Sequence, residues 1–193
     1  MPQFRLTQKF ATDCKIKQLL EPIITAHTLD DWFIDRIIVD RKKIAMITHA
    51  KSTFTFFIPY ADAGSAKGMI AYFKNQLKKL FQQNSLPALA LEVEKLFAEE
   101  LTFTKTVDKK ILGHMNDFKR CAEPYPGAPY PVDWNDTAER INNMPTKGGE
   151  QDWLYPVERF NNLLGIKLPK REYNYSSLHL SCICCCSSLT LTE

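Results

Sequence analysis

The sequence is poor in glycine and in long apolar runs, and both shortages exclude classes of function. Only seven glycines occur in 193 residues, and they form neither a phosphate-binding loop nor a dinucleotide fingerprint, because both motifs need several glycines at fixed spacing. No apolar run approaches the roughly 18 residues that a membrane span needs. The first residues also lack the apolar core of a signal peptide. We therefore expect a cytoplasmic protein that contacts no membrane.

Cysteine is scarce in the part of the chain that has the pattern of a folded domain. Six cysteines are present, and four of them crowd towards the C-terminus: Cys182, Cys184, Cys185 and Cys186. Cys14 and Cys121 remain, which are too few for a disulfide framework. No histidine is placed in the sequence to activate either thiol, and no second cysteine pair completes a zinc shell. We expect no cofactor and no metal.

A strong excess of charge is missing as well. The formal net charge of +3 is mild, so composition alone does not indicate a nucleic-acid-binding protein. A hydrophobic fraction of 45% with 24% charged residues is ordinary for a globular protein with a buried core. The length suits a single domain.

The domain boundaries are predicted from the positions at which the regular spacing of apolar residues ends. We predict one α+β domain over residues 1–168, with a core at 3–120 and a Pro-rich strap and C-terminal helices at 121–168. The prolines of residues 124–131 lack amide donors, so this stretch must be an extended connector. Residues 169–193 keep no period, and we predict that they form a disordered Cys- and Ser-rich tail.

Two-residue alternation predicts the strands. Apolar and β-branched residues alternate in three short runs over residues 32–59, the period of strands with a buried face. The connectors at 40–43 and 49–52 are short enough for hairpins, which favours an antiparallel meander. Residues 4–6 and 101–106 alternate in the same way. The prediction is an antiparallel sheet of about five strands in an α+β fold.

Three- and four-residue spacing predicts the helices. Apolar side chains recur at this spacing over residues 65–83 and again over 87–97, which would lay two central helices across the sheet. Further helices are predicted over 109–120, from Asp133 or Asn135 onward, and up to Gly165. We expect the helices to pack mainly on one face of the sheet.

Basic residues are candidates for binding. No acidic residue occurs between Asp62 and Glu92, so the helix over 65–83 would present a positive outer face. A basic turn adds three more cations. We call these seven residues the basic set: Lys67, Lys74, Lys78, Lys79, Arg41, Lys42 and Lys43. They form a phosphate-binding surface if they meet on one side, and a solvated surface if they are scattered.

Three separated stretches carry a family pattern: residues 6–9, the meander at 32–59, and residues 103–117. In order and spacing they resemble a bacterial family called domain of unknown function 6933, over most of residues 3–120. The resemblance implies a bacterial or mobile-element setting, and no activity comes with it. His114 departs from the family pattern, which has a small residue there, and this argues against a shared metal ligand.

Lys105, Asn116 and Asp117 are the candidate catalytic residues. A lysine near the end of a strand and a carboxylate inside the next helix could converge into a site for acid–base work. The alternative is that Asn116 and Asp117 only bond to neighbouring backbone. His114 and Asp117 lie three apart and could offer two metal ligands, but the sequence supplies no third.

Two functions from different classes follow. The preferred hypothesis is a non-enzymatic module that contacts a protein or a nucleic acid through the basic set. The competing hypothesis is a small hydrolase or nuclease-like enzyme that uses Lys105, Asn116 and Asp117. The sequence names neither a ligand nor an oligomeric state.

Overall fold

The computed structural model describes residues 1–25, 27–98, 100–123, 132–148 and 152–171. Residues 172–193 of the predicted tail lie outside these ranges, and so do residues 124–131, the proline-rich stretch of the predicted strap. No helix within them combines the length and the apolar character that crossing a bilayer requires.

The described residues form seven strands and seven helices. The strands are β1 (Gln3–Leu6), β2 (Asp31–Val39), β3 (Lys42–His49), β4 (Thr55–Pro59), β5 (Thr102–Lys105), β6 (Thr146–Gly148) and β7 (Asp152–Leu154). The helices are α1 (Gln8–Asp13), α2 (Tyr60–Ala63), α3 (Ala66–Gln83), α4 (Pro87–Leu96), α5 (Lys109–Ala122), α6 (Trp134–Asn142) and α7 (Pro156–Leu164). The α+β class predicted from the sequence is confirmed.

The main sheet has five strands in the order β4-β3-β2-β1-β5. The antiparallel meander of β2, β3 and β4 is present as predicted. The prediction of a purely antiparallel sheet is wrong, because β1 pairs in parallel with both β2 and β5. The physical reason lies in the connections: α1 and a long loop join β1 to β2, and three helices join β4 to β5. Connections of this length permit parallel pairing, which a hairpin cannot make.

Helices cover both faces of this sheet, where we expected mainly one. Trp32 and Ile34 point into a core beneath α1, α3, α4 and α7. Phe33 and Ile37 point the other way, into a second core beneath α5 and α6. Because β2 is apolar on both faces, its sequence alternates less cleanly than that of a half-buried strand.

Capping residues set the helix boundaries. The Ser65 side chain accepts a hydrogen bond from Gly68 N at the start of α3, and Asp108 caps α5 in the same way. Asp133 caps α6, and Gly165 ends α7 with φ of 62°. The sequence analysis offered Asp133 as one of two starts for α6 and Gly165 as the end of α7, so local signals located these two boundaries.

Both edges of the main sheet are covered. Helix α6 lies beside β4, and the Asn142 side chain bonds to both the N–H and the carbonyl of Thr55, at 2.8 and 2.9 Å. At the other edge, Leu20 bridges Thr104 of β5. The Asn142 carboxamide thus uses one donor and one acceptor to replace a strand partner at Thr55, the first residue of β4.

Candidate functional site

The lysines of the basic set that lie on α3 point to different sides of this helix. Lys74 and Lys78 both bind Glu94 of α4, with Nζ–Oε distances of 2.5 and 2.8 Å. Hydrogen bonds from these two lysines lower the pKa of Glu94 to about 2. Lys79 lies about 100° further round the helix from Lys78 and faces a cleft instead. The predicted positive face is therefore partly neutralised on its outer side.

The basic turn between β2 and β3 is also partly neutralised. Lys43 Nζ lies 2.8 Å from an Asp13 oxygen, and Arg36 reaches the same carboxylate at 3.2 Å. Burial raises the pKa of Asp13, but the hydrogen bonds from Lys43 and Arg36 outweigh it and hold the pKa below its ordinary value. Arg41 and Lys42 are exposed at the turn.

A cleft of about 450 Å³ opens between α3 and α6, above the edge of β4. One wall is a single face of α3 at i, i+3, i+4 and i+7, with Gln76, Lys79, Leu80 and Gln83. The facing wall has the same spacing on α6: Asn135, Ala138, Glu139 and Asn142. The floor is largely apolar and includes Phe54, Phe56, Val157 and Leu168. Two helices far apart in sequence thus present matching faces to one space.

Carboxamides dominate the polar lining, and they fall into two groups. Asn142 is committed to the β4 edge, and Asn143 accepts a hydrogen bond from Arg171 N and donates to Glu139 O. Gln76, Gln83 and Asn135 make no side-chain hydrogen bond to any other described residue. Each of these three can both donate and accept, so the cleft offers unused groups of both kinds.

Lys79 is the cation that remains available in the cleft. Arg171 also lines it, but its Nε lies 2.7 Å from a Glu139 oxygen. No carboxylate within the described ranges lies within 4 Å of Lys79 Nζ, and its side chain is exposed. The cleft therefore has a local positive charge at its α3 wall.

The three candidate catalytic residues have separate partners. Lys105 is exposed and binds Glu21. Asn116 accepts a hydrogen bond from Lys119 at 3.1 Å, and exposed Asp117 lies 3.9 Å from Arg120. Neither of the two described cavities is lined by Lys105, Asn116 or Asp117. Their catalytic role stays a prediction.

Asn116 instead joins a polar chain that the sequence did not indicate. Lys119 binds the buried carboxylate of Asp35 on β2, and Asp35 also accepts a hydrogen bond from Thr7 Oγ1 at 2.5 Å. The chain Thr7–Asp35–Lys119 ties the start of α1 to α5 across the sheet. The only sequence signal for it was an acidic residue inside the apolar run of β2. Every oxygen of Asp35 has a partner, so the chain is suited to holding α5 in place.

His114 is half-buried on α5, and burial lowers its pKa below the ordinary histidine value. With Asp117, it is one of the two candidate metal ligands on this helix. In the portion of the chain covered by the structure, no three His, Cys, Asp or Glu side chains converge as a metal site.

Comparison with known proteins gives one finding. No curated protein and no solved structure matches the chain. A family model described as Domain of unknown function (DUF6933) matches residues 3–159. The match includes the strands, α3, α6 and therefore both walls of the cleft. It confirms the resemblance seen in the sequence, and the chain belongs to the DUF6933 family.

Proposed function

We propose that this protein is a non-enzymatic binding module whose ligand occupies the cleft between α3 and α6. The ligand is a small anionic molecule that carries several hydrogen-bonding groups and one flat apolar face. The observation that carries this proposal is the pairing of three unengaged carboxamides with the unpaired Lys79 around a single cleft.

The size and floor of the cleft support a small-molecule ligand. Its volume of about 450 Å³ falls within the range of roughly 300–1,000 Å³ that ligand sites occupy. Phe54 and Phe56 supply aromatic surface at its base, and Phe54 stacks on Phe160 with ring centroids 4.5 Å apart. The floor is therefore held rigidly, which favours a planar ligand group over a flexible chain.

The side chains on the two walls of the cleft favour a ligand with hydrogen-bonding groups and a negative charge. Gln76 and Gln83 on one side and Asn135 on the other offer donors and acceptors that no described residue uses. Side chains of this type bind the edges of nucleobases, which display donors and acceptors together. Lys79 is a point charge of the kind that binds phosphate. A nucleotide has all three features: a planar ring, mixed hydrogen-bonding groups and a negative charge.

Isothermal titration calorimetry with the four ribonucleoside monophosphates tests this proposal. We expect at least one of them to bind the full-length chain, and Lys79→Ala to weaken that binding about tenfold or more, since a charge-assisted hydrogen bond contributes roughly 1.5–3 kcal/mol. Lys67→Ala is the matched control, because Lys67 is exposed on the same helix but lies outside the cleft. Its affinity should equal that of the unmodified protein.

The outcomes separate clearly. Absence of heat with all four monophosphates at low ionic strength would contradict the nucleotide assignment. Equal weakening by Lys79→Ala and Lys67→Ala would show that general charge, and not the cleft, attracts the ligand. That second result would favour the outer side of α3 as a docking surface for a nucleic acid or an acidic protein.

A further inference from the structure

Arg159 of α7 is a half-buried cation held by neutral oxygens. Its Nε donates to Ser52 O at 3.1 Å, and Nη2 donates to Thr53 Oγ1 at 2.8 Å and to Thr146 Oγ1. A longer bond of 3.5 Å joins Nη1 to Thr146 O. The guanidinium has five N–H donors, so one Nη1 N–H is left over.

No carboxylate balances this charge within the described ranges. No Asp or Glu oxygen there lies within 4 Å of the Arg159 guanidinium, and the neighbouring Glu158 binds Lys170 at 3.0 Å instead. Burial lowers the pKa of Arg159, and no acidic group offsets that effect. A partly desolvated charge without a counter-charge is costly, and an anion that binds beside it recovers part of that cost.

A second cation lines the same space. Lys51, in the turn between β3 and β4, and Arg159 border an open groove of about 300 Å³ together with Asn162 and Leu163. Arg159, Asn162 and Leu163 share one face of α7, because they lie at i, i+3 and i+4. Lys51 is exposed and has no ion-pair partner among the described residues.

We propose that this groove between the β3–β4 turn and α7 is an anion site that takes a phosphate group, held by Lys51 and Arg159 with Asn162 as a hydrogen-bond donor. Arg159 supplies a fixed guanidinium, because its other donors are already anchored. Lys51 supplies a mobile ammonium that closes over the anion. The site is separate from the cleft between α3 and α6, since the two share no lining residue.

The turn that carries Lys51 is itself rigid, which favours a preformed site. Thr53 adopts a left-handed conformation with φ of 61°, and Ser52 bonds to the buried His49 ring. Arg159 binds both turn residues. Because the turn and α7 are locked together, little conformational freedom is lost when an anion binds.

Nuclear magnetic resonance titration of the full-length chain with inorganic phosphate tests the proposal. Chloride replaces phosphate in a parallel titration at equal ionic strength. We expect saturable shifts at the Arg159 Nε–H and the Asn162 carboxamide with phosphate, and none of that size with chloride. Lys51→Ala should weaken the binding about tenfold. Lys51 is exposed, so its removal should leave the fold intact.

Three results would overturn the proposal. One is a response to chloride equal to the response to phosphate. Another is an affinity unchanged by Lys51→Ala but reduced by Lys67→Ala, a lysine that borders neither cavity. The third comes from an acetate titration: acetate that binds more tightly than phosphate would assign the groove to a carboxylate group.

Discussion

At the scale of single residues, His49 is the most constrained titratable group. Its side chain is fully buried, and its two ring nitrogens lie 2.7 Å from Thr28 O and 2.8 Å from Ser52 Oγ. Because a carbonyl can only accept, Nε2 must carry the proton and Nδ1 must accept from the Ser52 hydroxyl. Burial lowers the pKa of His49 to about 4. The ring is therefore neutral in the fold.

We predict that stability falls as the pH drops from about 6.5 to about 4. The pKa of His49 is lower in the folded state than the ordinary value of 6.5, so the unfolded chain binds more protons across this window. The contribution is complete above pH 6.5 and is lost progressively as the pH falls towards 4. A difference of about 2.5 pKa units corresponds to ~3 kcal/mol.

Urea unfolding at a series of pH values measures this effect. The pKa of Glu94 is about 2, and that of Asp13 is also held below its ordinary value. Their contributions begin to be lost only as the pH falls through the ordinary values of 4.5 and 3.8, so of these three groups His49 alone acts between pH 6.5 and 4.5. A free energy of unfolding that stays level between pH 6.5 and 4.5 would show that His49 is not buried in neutral form.

At the scale of elements, α6 has two tasks that different asparagines perform. Asn142 bonds to Thr55 at the β4 edge, and Asn135 lies about two turns earlier on the same face of α6, where its side chain bonds to no other described residue. The first asparagine stabilises the fold, and the second is free to contact a ligand. This separation makes α6 a useful element for mutation.

We predict that Asn142→Ala destabilises the protein by ~2–3 kcal/mol, because it leaves a buried N–H and a buried carbonyl of Thr55 without partners. Asn135→Ala is the matched control on the same helix, and its stability should change by less than about 0.5 kcal/mol. The midpoint of urea unfolding distinguishes them. Equal losses in both variants would mean that helix propensity, and not edge pairing, decides the effect.

The elements themselves could be predicted because their signals are local. Ser65, Asp108 and Gly165 mark boundaries through their own side-chain and backbone chemistry, which needs no knowledge of the rest of the chain. The hairpin of β6 and β7 was missed, since three-residue strands are too short to show a period. Helix α1 ends at Asp13, and Lys15 just beyond it takes φ of 56°, a conformation that a lysine side chain does not indicate.

At the scale of the whole molecule, strand order and the cleft could not be predicted from the sequence. β1 enters the sheet between β2 and β5, and nothing in residues 4–6 specifies parallel partners so far away. The cleft depends on α3 and α6 meeting over β4, although fifty residues, 84–133, lie between them. A signal did exist: polar residues lie at i, i+3 and i+7 on α3 and at i, i+4 and i+7 on α6. These polar residues could be recognised as the lining of a cleft only once the two helices were known to face each other.

The basic set shows the same limit. From the sequence, four lysines on one helix formed a positive face, because no acidic residue lay nearby along the chain. In the fold, Glu94 of α4 binds two of them, Lys74 and Lys78, and Lys79 on another side of α3 lines the cleft. Charge patterns along a chain predict composition of a surface well, and they predict its local potential poorly.

The most direct test of the central claim is to observe the cleft's own carboxamides while a ligand is added. In nuclear magnetic resonance spectra of the full-length chain titrated with the tightest-binding ribonucleoside monophosphate, the side-chain amides of Gln76, Gln83 and Asn135 should shift together with one dissociation constant, and the Asn162 amide should not follow that curve. Shifts that leave these three carboxamides unmoved, or that concentrate on the Lys74–Lys78 side of α3, would contradict the account.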